Sequence, residues 1–278
     1  MRKIKVCPGI GDNIWLMQKL VNSGEKFDFR LSGGNPRRGK PLFDMLPQVV
    51  NSAEYDDVWP YKTVKAGNVQ RSHSLWSSIA KKEFFLSCND HLERGFRIEK
   101  FLPDLPTSYR LDYDLSAATV ELPEAGGLIG IYGSSYSTAR AWGFWEAPGW
   151  YKLIEAINGL NKGYKFIIIG ADFDTDMNDK LCGLLKLAKI PHVNATGLPL
   201  VDTAVLLKKL HYFFAFPSGL PILANTLGVP CTMFYPRHLN LMMNAWASPE
   251  DIATGFYKGC QFCEPEKIFK WAVENNKI

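Results

Sequence analysis

Short apolar runs that stop abruptly at small, turn-forming residues recur along the whole chain. The clearest are Lys3–Cys7, "LIGIY", "KFIIIGA" and "YFFAFPSG". Segments between them carry apolar residues at helical spacing, starting with a helix that we expect to begin near Asn13. Continuous apolar strands that alternate with amphipathic helices are typical of parallel sheets covered on both faces. The pattern therefore predicts an α/β fold.

The alternation of strands and helices runs twice, with an interruption in the middle of the chain. The segment "LSAATVELPEAGG" is rich in loop-forming residues and separates the two series. A chain of 278 residues is long enough for two domains of about 100–150 residues each. We therefore predict two Rossmann-like domains, 1–120 and 121–278, whose parallel sheets face a cleft. In such sheets ligands bind at the carboxyl ends of the strands.

Two further elements of the first half are less regular. The segment "HLERGFRIEKFL" predicts a helix, and "GGNPRRGKP" predicts a solvated loop. That loop contains Arg37, Arg38 and Lys40, and a contact with phosphate is the alternative interpretation. The net charge is only +4, with 32 basic and 28 acidic residues interleaved. This balance disfavours a dedicated nucleic-acid-binding protein, which usually has a more clustered basic excess.

The first residues and the cysteines suggest a cytoplasmic protein. Two basic residues and a short strand precede the first turn, which is unlike a signal peptide, and no apolar stretch approaches the roughly 18 residues of a membrane span. Of the six cysteines, four are scattered in or beside apolar segments and suggest buried, reduced thiols, namely Cys7, Cys88, Cys182 and Cys231. Cys260 and Cys263 form one C-x-x-C pair without a second pair at suitable spacing, so we expect a structural role and no metal.

The first turn, "PGIGDN", offers the first candidate chemistry. Gly9 and Gly11 permit close approach of the backbone to a ligand, and the helix that follows favours anions at its N-terminus. Asp12 and Asn13 are good residues for capping that helix, which spacing alone favours. A general base is the alternative role for Asp12, because a carboxylate at a cleft edge can accept a proton.

Two later turns could bind phosphate. The loop "YGSSYSTARAW" combines the hydroxyls of Ser134 and Ser135 with the charge of Arg140, although an ordinary polar surface loop is equally consistent with the composition. Ser218 and Gly219 lie between a strand and a helix, which is another potential anion-binding turn.

Two other polar segments are open to more than one interpretation. The acidic loop "GADFDTD" is expected to be solvated, with a metal or ribose contact as the alternative. Asn89, His91 and Glu93 follow a strand of the first half and are candidate pocket residues, with a capped core helix as the slightly preferred interpretation.

Four segments in sequence order resemble glycosyltransferase family 9, the heptosyltransferase-like enzymes of GT-B fold. They are "GIGDNIWLMQKL", "YGSSYSTARAWGFWEAPGWYKLIEAI", "FIIIGADFDTD" and "NATGLPLVDTAVLLKKLHYFFAFPSGLPILANTLGVPCTMFYP". The resemblance covers nearly all of the second half of the chain, but mainly the first 20 residues of the first half.

The resemblance implies an inverting transfer of a sugar from a nucleotide-sugar donor to a hydroxyl of a saccharide or other acceptor. The acceptor would lie against 1–120 and the donor against 121–278, with no metal or other cofactor. Asp12 would be the base that deprotonates the acceptor. Donor-binding residues would be Ser134, Ser135 and Arg140 at the phosphates, and Ser218 and Gly219 beside the diphosphate and sugar.

The chain also departs from the family pattern at three positions. Pro217 stands where the family usually has an acidic residue, Ile222 where a His is common, and Arg140 where a Lys is usual. Three alternatives are left open, namely a GT-B transferase that acts on modified DNA bases, a non-catalytic protein that binds nucleotide-sugars, and a two-domain epimerase. The missing acidic residue and His suggest the non-catalytic binding protein, whereas only "NPRRGK" supports an action on DNA.

Overall fold

The computed structural model describes residues 2–7, 9–33, 36–58, 84–121, 126–133 and 145–278. Within these ranges the chain forms two parallel sheets with helices packed around them. The predicted α/β architecture with two Rossmann-like sheets is therefore confirmed.

The first sheet has four strands in the order β3-β2-β1-β4 among the described residues. Every pairing is parallel, with Ile4 of β1 opposite both Phe29 of β2 and Phe84 of β4. The strands are β1 (Arg2–Val6), β2 (Phe27–Gly33), β3 (Val49–Val58) and β4 (Phe84–Phe85), and the helices are α1 (Ile10–Leu20), α2 (Pro36–Asp44) and α3 (Asn89–Glu93).

The second sheet has six described strands in the order β10-β9-β8-β5-β6-β7. This is the doubly wound order, and the direction of winding reverses between β5 and β8, where such folds open a ligand crevice. The strands are β5 (Leu128–Tyr132), β6 (Lys165–Gly170), β7 (His192–Thr196), β8 (Tyr212–Ala215), β9 (Cys231–Tyr235) and β10 (Tyr257–Gln261). The helices are α4 (Ala147–Asn158), α5 (Thr175–Leu187), α6 (Leu200–Lys208), α7 (Gly219–Thr226), α8 (Pro249–Ala253) and α9 (Pro265–Glu274).

The central strands of the second sheet are apolar because helices cover both of their faces. All residues of β5, β8 and β9 are buried, and Ile129, Phe213 and Phe234 are completely inaccessible to solvent. Burial of a large apolar side chain stabilises the folded state by about 1.5–3 kcal/mol. This rigid layer fixes the positions of the loops that leave the strands at their carboxyl ends.

Residues 97–121 connect the two sheets and form hydrogen bonds with a helix of each half of the chain. The backbone N–H of Ser108 donates to the carbonyl of Gln18 in α1 (2.7 Å), and that of Leu111 donates to the carbonyl of Thr226 in α7 (3.1 Å). This segment therefore links α1 of the first sheet to α7 of the second.

Three predictions about individual elements are wrong. The first helix begins at Ile10, not near Asn13. The helix predicted over "HLERGFRIEKFL" is broken because Gly95 adopts φ +78, and only α3 and a 3-10 turn at Ile98–Lys100 are helical. The predicted basic loop belongs in part to α2, where Lys40 pairs with Asp44 one turn later.

The described helices are all too short or too polar to cross a membrane.

Candidate functional site

A cavity of about 500 Å³ opens where the carboxyl ends of the two sheets face each other. Its wall on the side of the first sheet is the β1–α1 turn, with contributions from Pro41 and Asn89. The opposite wall consists of residues that follow β5, β6, β7 and β8, together with the end of β9. The cavity thus includes the crevice at the reversal point between β5 and β8, as the fold predicts.

Two glycine turns from different sheets touch at the floor of the cleft. A Cβ atom on Gly219 would lie 2.7 Å from Cβ of Ile10 and 2.8 Å from the backbone nitrogen of Gly11. A Cβ atom on Gly11 would lie 2.8 Å from Cδ1 of Ile222. Only glycine allows this approach, and it brings the start of α1 against the start of α7.

Asp12 lies in the first turn of α1 and lines the cleft. The N-cap position is occupied by Gly9 and lacks a side-chain cap, so the capping role favoured for Asp12 from its spacing is wrong. Its Oδ2 instead folds back over Gly9, in space that any side chain at Gly9 would occupy.

Asn13 is buried and acts within the turn itself. Its Nδ2 donates to the carbonyl oxygens of Cys7 and Gly9, both at 2.8 Å. These bonds join the end of β1 to the start of α1. Asn13 therefore holds the turn that presents Asp12, and it does not line the cleft.

The surroundings of Asp12 raise the pKa of its carboxyl group. Burial raises the pKa of the Asp12 carboxyl to about 6, and the negative charge of Glu93 acts in the same direction. A hydrogen bond from the Cys7 thiol opposes this rise. Burial and the charge of Asp12 in turn raise the pKa of Cys7 well above its ordinary value. A carboxylate with a pKa near 6 is ionised at neutral pH and is a stronger base than an ordinary aspartate.

Ser218 is the N-cap of α7. Its Oγ accepts a hydrogen bond from the backbone N–H of Leu220 at 3.3 Å, and Gly219 is the first helical residue. Pro221 occupies the first turn, as its sequence position suggests. The N-terminus of a helix carries partial positive charge, so the cleft has an electropositive backbone site next to Asp12.

The three residues proposed for the acceptor side occupy different environments. Asn89 lines the cleft, and its Nδ2 donates to Oε1 of Glu93 at 2.8 Å. His91 is buried, and its Nε2 pairs with the carbonyl of Arg97 at 3.0 Å. The structure therefore places Asn89 at the cleft, with Glu93 as its partner, and His91 in the core.

Ser134, Ser135 and Arg140 lie outside the described residues. Their predicted contacts with the donor phosphates therefore stay predictions.

Phe173 lines the cleft and remains 46% exposed, a position that was not predicted from the sequence. It lies in the acidic loop that was expected to be solvated. That expectation is wrong for Asp174, which is buried and accepts a hydrogen bond from the N–H of Ala171 at 2.9 Å. Asp172 and Asp176 are exposed. The signal for Phe173 was present, because it is an aromatic residue between acidic ones just after a strand.

None of the six cysteines forms a disulfide. Cys7, Cys88 and Cys231 are buried as predicted, whereas the prediction is wrong for Cys182, which is half-buried. Cys260 belongs to β10, a strand that the sequence analysis did not predict. In the described part of the chain, no group of three or more His, Cys, Asp or Glu residues is arranged to hold a metal ion.

Solved structures with known folds resemble the whole chain. E. coli heptosyltransferase WaaC with ADP matches with a TM-score of 0.62 at 12% identity, covering 98% of this chain and 99% of that one. The glycosyl transferase family 9 protein from Veillonella parvula DSM 2008 matches with a TM-score of 0.60 at 13% identity, covering 99% of this chain and 97% of that one. E. coli ADP-heptose LPS heptosyltransferase II matches with a TM-score of 0.59 at 15% identity, covering 99% of this chain and 98% of that one.

The chain has the fold of the GT-B glycosyltransferases. The resemblance to family 9 is therefore confirmed at the level of the fold and extends to the first half of the chain, where the sequence motifs were sparse. No protein-family model and no curated protein sequence matches the chain.

Proposed function

We propose that this protein is an inverting glycosyltransferase that moves a sugar from a nucleoside-diphosphate donor to an acceptor hydroxyl. One observation carries the proposal. The Asp12 carboxylate, with a pKa near 6, lies in a cleft beside the N-terminus of α7, where Gly11 contacts Gly219. A base and an anion-binding turn at one point are the two groups that such a transfer needs.

The donor lies along the carboxyl edge of the second sheet. The diphosphate binds at Ser218 and Gly219, because the helix N-terminus favours negative charge. The nucleobase lies on the β6–β7 side of the cleft against the exposed ring of Phe173, since an aromatic face stacks on any base. The predicted contacts of Ser134, Ser135 and Arg140 add to the phosphate site.

The acceptor approaches from the side of Asp12 and Asn89. Asp12 takes the proton of the acceptor hydroxyl as its oxygen forms a bond to the anomeric carbon. The bond from that carbon to the phosphate oxygen breaks, and the nucleoside diphosphate leaves with the electron pair. Attack opposite to the leaving group inverts the anomeric centre. The helix N-terminus stabilises the charge that develops on the diphosphate, so the proposal requires no metal ion.

The Asp12→Asn variant tests the proposal. We expect release of nucleoside diphosphate from the donor to fall at least a hundredfold, because the variant lacks the base. Affinity for the nucleoside diphosphate should stay within about twofold. Equal turnover in the variant and the wild type would refute the role of Asp12. A protein that binds nucleotide-sugars without turnover would be a binding protein, and release of free sugar and nucleotide without an acceptor would indicate an epimerase-like reaction.

A further inference from the structure

The cleft next to the Ser218–Gly219 turn is apolar. Pro217 precedes the turn and Ile222 follows it one helical turn later, and both line the cavity. Met233 and Met242 continue this surface on the side of β9. On the side of the second sheet, the side chains that flank the proposed diphosphate site at Ser218 and Gly219 therefore cannot form strong hydrogen bonds.

The polar side chains of the described lining largely bond within the protein. Thr203 Oγ1 donates to the carbonyl of Pro199 at 3.1 Å. The Tyr235 hydroxyl accepts from Trp246 Nε1 at 3.0 Å, and Ser218 Oγ accepts from the N–H of Leu220. On the opposite wall the polar side chains are Asp12 and Asn89, which the proposed function assigns to the acceptor, and Trp15, whose buried indole nitrogen has no hydrogen-bond partner among the described residues.

The sugar is bonded directly to the distal phosphate, so it is the part of the donor that meets Pro217 and Ile222. A hydroxyl group held against this surface would lose its water without gaining a partner. Such a loss weakens binding by roughly five- to a hundredfold. A methyl group in the same place would gain contact area instead.

We propose that the transferred sugar is a 6-deoxyhexose whose methyl group packs against Pro217 and Ile222. This inference rests on the proposed function, because it takes the diphosphate to bind at the start of α7. It adds the class of sugar, which the apolar surface selects by excluding the hydroxymethyl group of an ordinary hexose.

Matched donors that differ by one oxygen test the inference. Affinities are measured by calorimetry for the glucose and 6-deoxyglucose conjugates of UDP, ADP, GDP and dTDP. With the base that binds best, we expect the 6-deoxy conjugate to bind at least five times more tightly. Equal affinities, or tighter binding of the glucose conjugate, would overturn the inference.

Three variants test whether Pro217 and Ile222 cause the preference for the 6-deoxy donor. Ile222→Asn supplies a hydrogen-bonding group and should reduce the difference between the two donors to less than twofold, whereas the apolar control Ile222→Val should keep it. Ile222 is 3% exposed, so Ile222→Asn could fail to fold. Pro217→Ser, at a half-buried position, then provides the same test. A full preference in the folded polar variants would show that this surface does not select the sugar.

The outcomes separate this inference from the proposed function. If no nucleoside diphosphate binds, the proposed donor site is wrong. If a nucleoside diphosphate binds but the paired sugar conjugates bind equally, the donor site stands and the sugar assignment alone fails.

Discussion

Asp12 illustrates how one residue can satisfy a sequence pattern and yet act differently in the fold. An Asp beside an Asn before an apolar run is a typical capping signal. Two glycines allow α1 to start earlier, and Asn13 takes over the local bonds to Cys7 and Gly9. The carboxylate of Asp12 is thereby left to line the cleft.

The pKa of Asp12 predicts the acid limb of the pH profile. The base must be ionised, and its pKa is about 6. We expect turnover to be constant above pH 7 and to fall tenfold per unit well below pH 6. Initial rates between pH 4.5 and 8.5, at saturating donor, measure this profile. A fall in turnover that begins only near pH 4, the range of an ordinary aspartate, would show that Asp12 with its raised pKa is not the group that limits the rate.

The same pKa predicts that ionised Asp12 destabilises the fold. The carboxyl binds its proton more tightly in the folded state than in the unfolded chain, because its pKa rises from 3.8 to about 6. Its contribution to stability is therefore complete below about pH 4 and is lost as the pH rises through 6. At pH 7.5, Asp12→Asn should raise the free energy of unfolding by about 1–3 kcal/mol.

Denaturant unfolding of Asp12→Asn and the wild type at pH 7.5 and pH 4 provides the measurement. The two proteins should converge at pH 4, where Asp12 is largely protonated. A variant that is less stable at pH 7.5 would contradict the burial of this carboxyl.

At the scale of elements, the second half of the chain follows its sequence closely. Buried strands such as β6 and β8 are nearly continuous apolar runs; β6 ends at Gly170, and β8 ends two residues before Pro217. The first half is harder to predict because its elements are short. The helix expected after β4 ends at Glu93, because the backbone at Gly95 adopts a positive φ that no periodicity reveals. Strand β10 was missed because its exposed edge carries polar residues.

In the site, too, features set by neighbouring residues were predictable from the sequence, whereas contacts between distant residues were not. Ser218 was predictable, because a Ser-Gly-x-Pro sequence after a strand is a local helix-start signal. The contact of Gly11 with Gly219 joins residues more than 200 positions apart, and only the packing of α1 against α7 produces it. The apolar surface around Ile222 is likewise assembled from α7, β9 and the segments that follow β8 and β9.

The contact between the glycine turns predicts a strong effect of one added methyl group. In Gly219→Ala the new Cβ would meet the backbone nitrogen of Gly11 at 2.8 Å, so α1 and α7 must move apart. We expect a loss of about 1–3 kcal/mol in stability and weaker binding of nucleoside diphosphate.

A second glycine variant provides the matched control. Gly183 lies inside α5 with open space where a Cβ would be. Gly183→Ala should therefore stabilise the protein by about 0.5–1 kcal/mol. Thermal unfolding of both variants, with and without nucleoside diphosphate, measures their stability and binding. Equal changes in Tm in the two variants would argue against the tight contact between Gly11 and Gly219.

At the scale of the whole molecule, the segment 97–121 holds the two sheets together. Arg110 forms two hydrogen bonds of 2.8 Å with the carboxylate of Asp251, at the start of α8. Asn225 of α7 donates to the same carboxylate at 3.3 Å. The connection thus reaches the helix whose N-terminus forms the proposed diphosphate site.

This network predicts that two ion pairs contribute differently to the stability of the protein. Arg110→Ala removes the partner of the mostly buried Asp251 carboxylate and should cost about 1–3 kcal/mol in stability. Lys270→Ala breaks the exposed pair with Glu274 on α9 and should change stability by less than about 0.5 kcal/mol. Chemical denaturation compares the two variants, and an equal loss in both would show that the connection to Asp251 has no special importance.

The central claim is that the cleft binds a nucleoside diphosphate at the start of α7. Thermal unfolding of the wild-type protein against ADP, UDP, GDP and dTDP tests it most directly. A ligand present at 100 times its dissociation constant stabilises the folded state by about 2.7 kcal/mol, which is easily seen as a rise in Tm. We predict such a rise with one base and little effect with the others. An unchanged Tm with all four would contradict the donor site and the transferase function built on it.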